Sequence, residues 1–320
     1  MNIPVRIPRQ KAAGRDRYTF ALTRKKLKKS LPYYILILFP LAYLIIFKYQ
    51  PMYGVQIAFR DFKPKLGFLG SPWAGLKYFQ MFLNASSAWQ IVWNTFVISA
   101  YSLLAGFPIP IILALCLNEV RVRSIKKVVQ MVTYMPYFIS TVVLVAMINQ
   151  FTDLHVGIIN VLVKATGGGT INFMGDIAYF RHIYVWTGVW QGAGYSAVIY
   201  IAALSGVNTE LYDAALVDGT NKLQRIRHID LPCILPTIVT LFVLNTGQIL
   251  SVGFEKIYLM QSNINLSQSE VISTYVYKLG VQNSNFSMSA AVGLFNSIIN
   301  FFMLIVCNAI SKRTTDIGVW

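Results

Sequence analysis

Residues 208–232 read NTELYDAALVDGTNKLQRIRHIDLP, and they separate two apolar runs that are each long enough to cross a membrane. This stretch is polar and carries seven charged side chains. Asn208 can cap a helix, and Gly219 can end that helix by adopting a left-handed conformation. Asn221 can then cap a second short helix, which Pro232 is expected to end. The stretch therefore predicts a helix–turn–helix element that projects from a membrane protein.

The spacing of residues within this stretch resembles the coupling loop, or EAA loop, of binding-protein-dependent ABC importers. That motif reads Glu-Ala-Ala, three residues, Gly, nine residues, Ile, one residue and Leu-Pro. The departure here is the first position, where aspartate keeps the charge of the usual glutamate but has a shorter side chain. The residues at the motif positions are Asp213, Ala214, Ala215, Gly219, Ile229, Leu231 and Pro232, of which all but Asp213 match.

The resemblance implies that residues 208–232 couple the membrane domain to a cytoplasmic ATPase subunit. Ala214 and Ala215 would then pack against the ATPase, where larger side chains do not fit. The structural alternative is an amphipathic cytoplasmic hairpin that has no partner. The coupling role is favoured because six positions match the motif at the family's spacing.

The composition of the chain is typical of a membrane protein. Of its 320 residues, 55% are hydrophobic and 12% are charged, whereas soluble domains have about 25% charged residues. We predict an all-α membrane protein with six transmembrane helices, and the resemblance implies the type I ABC importer permease fold with a cytoplasmic coupling helix. The expected organisation is a basic N-terminal segment at 1–30 and a permease domain at 31–320. The predicted spans are 31–50, 89–116, 127–150, 184–204, 233–254 and 288–311.

The distribution of basic residues predicts the orientation of these spans, because Lys and Arg are enriched in cytoplasmic loops. The first 30 residues contain ten Lys and Arg, and residues 208–232 add three more. The loops at 51–88, 151–183 and 255–287 contain only eight, although they are much longer. We therefore predict a multi-pass protein of the bacterial inner membrane with both termini and the coupling loop in the cytoplasm.

Several other function classes fit the sequence poorly. No Gly-x-x-x-x-Gly-Lys-Ser/Thr loop occurs, so ATP and Mg would be bound by separate ATPase subunits and no cofactor is expected in this chain. The three cysteines and three histidines show no metal-binding spacing. The basic N-terminus directly precedes a predicted span, which favours a role at the membrane surface over nucleic-acid binding.

Polar side chains recur within the fourth and fifth predicted spans. Gln191 and Tyr195 are four residues apart and share a helix face, and Asn245 and Gln248 are three apart. Such side chains either face a cavity or form hydrogen bonds between helices. In maltose-type permeases, sugar contacts come from the helices on either side of the coupling loop. The resemblance therefore implies that Gln191, Gly192, Tyr195, Asn245 and Gln248 line the substrate pathway.

A second resemblance concerns the substrate. FKYQPMYGVQIAFRDF at 47–62 and SPWAGLKYF at 71–79 are similar to the N-terminal signature of sugar-importer permeases that handle oligosaccharides. An interfacial belt of aromatic residues accounts for the same segments and is compatible with that interpretation. The outer loops carry eight basic residues and five acidic ones. This mild excess would suit an acidic sugar such as an alginate oligomer.

These observations predict a permease subunit of an ATP-driven ABC importer for oligosaccharides. It would form a heterodimer with a second permease subunit, and the pair would assemble with two ATPase subunits and an extracytoplasmic solute-binding protein. The alternative is a secondary sugar transporter driven by an ion gradient, which would need a charged residue in mid-membrane. A membrane-embedded glycosyltransferase or hydrolase would need paired carboxylates or a metal site. All twelve acidic residues fall in loops or at span ends, which disfavours both alternatives.

Overall fold

The computed structural model describes residues 24–315 and residue 318. The chain divides into two compact units, Met1–Gly54 and Val55–Trp320. Most of the predicted basic segment at 1–30 lies outside the described residues.

The described part of the first unit, residues 24–54, is mainly one long helix. From Arg24 onward it includes the end of the predicted basic segment, whose Lys, Arg and Leu residues are good helix formers. Pro32 and Pro40 lie inside it, which membrane helices tolerate better than soluble ones. Its consecutive parts are α1 (Arg24–Leu44), a π-helical turn (Ile45–Tyr49) and α2 (Gln50–Met52).

The second unit is helical throughout its described part, which confirms the predicted all-α class. Apart from an isolated β-bridge between Arg60 and Trp73, no strand pairing occurs over residues 55–315. Its helices are α3 (Gly67–Gly70), α4 (Lys77–Leu83), α5 (Ala88–Gly106), α6 (Pro108–Glu119), α7 (Arg123–Tyr134), α8 (Thr141–Phe151), α9 (Ile158–Ala165), α10 (Ile177–Ser205), α11 (Thr209–Val217), α12 (Lys222–Arg225), α13 (Leu231–Thr246), α14 (Phe254–Met260), α15 (Leu266–Ser269), α16 (Ile272–Tyr277) and α17 (Phe286–Thr315).

The long apolar helices agree with most of the predicted spans. Four continuous helical stretches among the described residues are long and apolar enough to cross a membrane, and a broken pair formed by α7 and α8 makes a fifth. The predicted span 184–204 lies within α10, which has 29 residues and is long enough to cross but less apolar. The four continuous stretches are Ser30–Phe59, Ala88–Glu119, Lys222–Thr246 and Phe286–Thr315.

The lower apolarity of α10 follows from its central position. This helix packs against α5, α6, α7 and α13. Near its start, Phe180 and Val185 belong to one buried cluster, and near its end Ala197 and Leu204 belong to another. A helix that packs against several neighbouring helices faces less lipid, so it can carry polar residues that a lipid-facing helix would exclude.

The third predicted span, 127–150, is not one straight helix. It bends by 96° between α7 and α8. Pro136 lies in a 3-10 turn at the end of α7, and Ser140 caps α8 by accepting a hydrogen bond from the Val143 amide. Proline removes a helical hydrogen bond and the serine supports a new helix start, so together they produce a broken helix.

The fifth predicted span, 233–254, differs from the structure at both ends. Pro232 does not end a short helix, because a π-helical turn at Ile226–Asp230 continues α12 into α13. At the other end the helix stops at Thr246, and residues 247–253 form turns and irregular backbone. There the amide of Leu250 donates to Asn300 Oδ1 at 2.9 Å, so a side chain replaces a helical acceptor. Irregular backbone inside a membrane protein is tolerated where such partners exist.

A very close helix crossing occurs at Gly194 of α10. A Cβ atom at this position would lie 1.9 Å from the carbonyl oxygen of Thr133, at the end of α7. A Cβ atom at Gly192, two residues earlier on α10, would meet no atom within 4 Å. Glycine at 194 is therefore required for the broken span to lie against α10.

Gly194→Ala tests whether this glycine is needed for packing, apart from the general effect of replacing a glycine inside a helix. The added methyl group must push α10 and α7 apart, and overpacking of this kind costs about 1–3 kcal/mol of unfolding free energy. Gly192→Ala is the control, because it makes the same change in open space and should be neutral or slightly stabilising. Thermal unfolding of the purified proteins, followed by tryptophan fluorescence, measures both. Equal melting temperatures for the two variants would contradict the crossing.

Candidate functional site: coupling loop and central cavity

The first helix of the stretch 208–232 is α11, and its two ends are formed as predicted. Asn208 Oδ1 accepts a hydrogen bond from the amide of Glu210 at 3.0 Å. Gly219 has φ +69°, the left-handed conformation that ends the helix. The hydroxyl of Thr220 donates to the carbonyl of Ala215 at 2.7 Å and satisfies one of the last helical carbonyls. Local sequence signals therefore determine this turn.

The second helix of the stretch also begins as predicted. The side chain of Asn221 accepts from the Gln224 amide at 2.9 Å, and the Gln224 side chain accepts from the Asn221 amide at 2.8 Å. This reciprocal pair is a capping box. Farther along, Leu231 is partly buried against the cluster that contains Leu204 and Ile234. Ile229 lies in the π-helical turn, so the Ile-x-Leu-Pro part of the motif anchors the loop to the spans.

The two alanines of the motif point in different directions. Ala215 is buried within this chain, with 7% exposure, whereas Ala214 is exposed. Val217, three residues after Ala214 and on the same helix face, is 88% exposed. Asp213 is also exposed. The exposed surface of α11 therefore includes Asp213, Ala214 and Val217 but not Ala215, so it differs from the expected pair of alanines.

A buried carboxylate attaches α11 to the spans. Asp230 has 0% exposure, and its Oδ1 accepts from the Tyr212 hydroxyl at 2.5 Å and from Asn118 Nδ2 at 3.5 Å. Burial, and secondly the Asp230 carboxylate, raise the pKa of Tyr212 to about 12. The phenol therefore stays protonated at physiological pH and continues to donate. Asp230 lies within the stretch 208–232, as the sequence indicates, but its complete burial was not predicted.

A salt bridge reinforces the same attachment. Arg225 Nη2 and Glu119 Oε2 are 3.0 Å apart, and their side chains are only 14% and 16% exposed. Shielded pairs are screened by salt less than fully exposed pairs. The coupling loop is thus joined to the end of α6 at Asn118 and Glu119, and a movement of α11 would be transmitted to this helix. Sequence reasoning missed both contacts, since the partners are more than 100 residues apart in the chain.

A cavity of about 550 Å³ lies between α5, α6, α10 and the broken end of α13. It brings together three of the residues predicted to line the pathway, namely Tyr195, Asn245 and Gln248. This volume is within the range of small-ligand sites, which is about 300–1,000 Å³. The remaining lining is apolar or carries hydroxyl groups, and none of the lining residues is charged.

The polar groups in this cavity suit a sugar. The ring of Tyr195 stacks on Tyr137 with centroids 3.9 Å apart, which holds it as a rigid aromatic surface. Asn245 donates to the Leu241 carbonyl at 2.8 Å, and its amide oxygen remains an acceptor. Within residues 24–315, no group forms a hydrogen bond with the exposed side chain of Gln248. An aromatic face together with available amides can bind the C–H faces and hydroxyl groups of a saccharide.

Gln191 and Gly192 are not among the residues that line this cavity. Gln191 donates to the carbonyl of Ile139 at 2.8 Å, at the break between α7 and α8. It therefore satisfies backbone that the broken span leaves without a helical partner. The side-chain position of Gly192 faces open space. The sequence left two roles open for these polar side chains. Gln191 forms a hydrogen bond between helices, whereas Gln248 lines the cavity.

Comparison with known proteins identifies the family. Residues 106–316 match the family model described as binding-protein-dependent transport system inner membrane component. The chain belongs to this family. It is a permease of a transport system rather than an enzyme.

Relatives of this permease include sugar transport proteins. The polygalacturonan/rhamnogalacturonan transport system permease protein YteP of Bacillus subtilis (strain 168) is 39% identical over 90% of this chain and 89% of its own length. Protein LplB of the same organism is 38% identical over 92% of both chains. The permease is also similar to a chain from a bacterial ABC transporter involved in the import of the acidic polysaccharide alginate. That solved structure has a TM-score of 0.84 and 35% identity, and the match covers 91% of this permease and 99% of that chain.

Replacing either of two glutamines tests the assignment of the cavity. Gln248→Ala removes an amide that has no hydrogen-bond partner among residues 24–315, and it should lower substrate-stimulated ATP hydrolysis of the assembled transporter a few-fold, since one hydrogen bond to the substrate contributes about 1 kcal/mol. Its melting temperature should not change. Gln191→Ala leaves the Ile139 carbonyl without its partner and should instead lower the melting temperature. Reversed outcomes for the two variants would show that the cavity is not the pathway.

Proposed function

We propose that this permease is a membrane-spanning subunit of an ATP-driven importer of oligosaccharides. The observation that carries the proposal is the match to the alginate importer chain along nearly its whole length, together with a capped coupling helix at the place where that family docks its ATPase. The cavity between α5, α6, α10 and α13 is lined by an aromatic face and amide groups, which can bind the C–H faces and hydroxyl groups of a sugar.

The proposed assembly has a second permease, two ATPase subunits and an extracytoplasmic binding protein. A second permease is supported because Tyr195 is 48% exposed and Gln248 is exposed as well, so another chain is needed to enclose the pathway. A binding protein is supported by the solved alginate transporter, which is in complex with an alginate pentasaccharide-bound periplasmic protein. ATP and Mg would be bound by the ATPase subunits.

In the proposed mechanism, closure of the ATPase pair moves α11, and the buried contacts of Asp230 and Arg225 pass this movement to α6. The link between α10 and α11 is short, because α10 ends at Ser205 and Asn208 already caps α11. A movement of α11 therefore also displaces α10, which lines the cavity. Two arrangements of such packed helices give inward-facing and outward-facing states.

The substrate we propose is an acidic oligosaccharide. Two relatives are named for acidic polymers or their import, namely polygalacturonan and alginate. The predicted outer loops also carry eight basic and five acidic residues. This excess of positive charge attracts anions. Alginate oligomers and oligogalacturonates are both candidates of this class.

The second candidate function is a secondary transporter driven by an ion gradient, which the buried Asp230 favours. A carboxylate that gains and loses a proton inside a membrane protein is typical of such transporters. Here, however, the carboxylate accepts a hydrogen bond from Tyr212 within the coupling loop and lies outside the cavity lining. Uptake into proteoliposomes that needs ATP and persists without an ion gradient distinguishes the first function from the second.

Docking of the ATPase is tested by a charge on the exposed face of α11. Val217→Lys should reduce co-purification of the ATPase subunit by about ten-fold or more, since an unpaired charge in an interface costs several kcal/mol. Val122→Lys is the matched control, because Val122 is 55% exposed and lies outside the coupling loop. Undiminished ATPase binding by the Val217 variant, or equal loss in both, would contradict the docking surface.

The orientation of the permease is tested with a reporter enzyme that is active only outside the cytoplasm. A fusion after Asn263, in the predicted outer loop 255–287, should be active because few basic residues hold this loop inside. A fusion after Asn221, in the coupling loop, should be silent. Activity at Asn221 would place the coupling loop on the wrong side for an ATPase.

A further inference from the structure

The strongest unexplained feature of the permease is a buried lysine. Lys256 of α14 is 9% exposed, and no carboxylate among residues 24–315 lies within 4 Å of its ammonium group. Lys278, in the same predicted outer loop, instead pairs with Glu270 at 2.8 Å. A buried ammonium without a counter-ion is unfavourable unless other groups compensate its charge.

The groups that surround Lys256 compensate its charge only in part. Its Nζ donates to the backbone carbonyl of Tyr184 at 2.8 Å and lies 4.8 Å from the centroid of the Tyr184 ring. A carbonyl and an aromatic face both attract a cation, but neither carries a full negative charge. The site therefore retains positive potential that an anion can use.

Lys256 lies directly behind the wall of the cavity. Tyr184 and Gly253 are both lining residues, and Lys256 contacts the first and follows the second by three positions. A Cβ atom at Gly188 would lie only 3.3 Å from Lys256 Nζ, so the glycine makes room for the ammonium. Since none of the lining residues is charged, Lys256 is a charge placed one aromatic ring away from an otherwise neutral pathway.

We propose that Lys256 selects acidic saccharides by attracting their carboxylates to the Tyr184 end of the cavity. This inference rests on the proposed function and assigns Lys256 as the residue that distinguishes charged substrates from neutral ones. Protein interiors screen charge much less than water does, so the ammonium acts across the Tyr184 ring without touching the sugar. Tyr184 lies near the start of α10, at the predicted outer end, where a sugar enters before it reaches Tyr195.

A charge-selectivity experiment tests this proposal in the assembled transporter. ATP-dependent uptake into proteoliposomes is measured for trigalacturonate and for its fully methyl-esterified form, which has the same chain without the charges. The wild-type complex should prefer the acid. Lys256→Met should lower the ratio of acid to ester uptake by about ten-fold, as expected for loss of one close charge in a desolvated site, while ester uptake persists. Lys256→Arg should keep the preference.

Two controls make each outcome decisive. Lys164→Met removes one positive charge from an exposed lysine of another predicted outer loop and should leave the ratio unchanged. Gly188→Ala crowds the ammonium without removing it and should shift the ratio in the same direction as Lys256→Met, which provides the test if the latter fails to assemble. The proposal is overturned if the Lys256→Met complex transports with an unchanged ratio of acid to ester uptake. If Lys256→Met does not assemble, an unchanged ratio in Gly188→Ala overturns it. If the wild-type complex takes up neither compound with ATP, the proposed function fails instead.

Discussion

The contact on which the second unit depends is the crossing of α10 and the broken span at Gly194. The carbonyl of Thr133 occupies the space that any side chain at this position would need. This close approach lets Gln191 reach the carbonyl of Ile139, so backbone freed by the bend finds a partner inside the protein. Without it, a bent span would expose polar backbone to lipid, which costs several kcal/mol for each unsatisfied group.

The central helix α10 then connects three functional regions along its length. Its first turns hold Tyr184 against Lys256, its middle presents Tyr195 to the cavity, and its last residue is separated from the coupling helix by a short link. The buried Asp230 holds that coupling helix against the spans on the other side. One rigid element thus relates the site where a sugar would enter to the site where an ATPase would dock.

Local features of this permease could be predicted from its sequence, and long-range ones could not. The caps at Asn208 and Asn221 and the turn at Gly219 involve partners within a few residues, so the sequence alone determines them. The break after Thr246 depends on Asn300, 50 residues away from its partner Leu250. The inward position of Ala215 and the burial of Asp230 likewise depend on packing between distant segments. The substrate role of Tyr195, Asn245 and Gln248 remains a prediction, now with a cavity that contains all three.

The most direct test of the proposed transport pathway is a cryo-electron microscopy structure of the complete transporter, trapped during turnover with an acidic oligosaccharide. We expect saccharide density in the cavity between Tyr195 and Gln248, with a carboxylate nearest the Tyr184 end, and α11 seated in an ATPase groove through Ala214 and Val217. Saccharide held entirely by other chains, with this cavity empty and closed in every state, would contradict it.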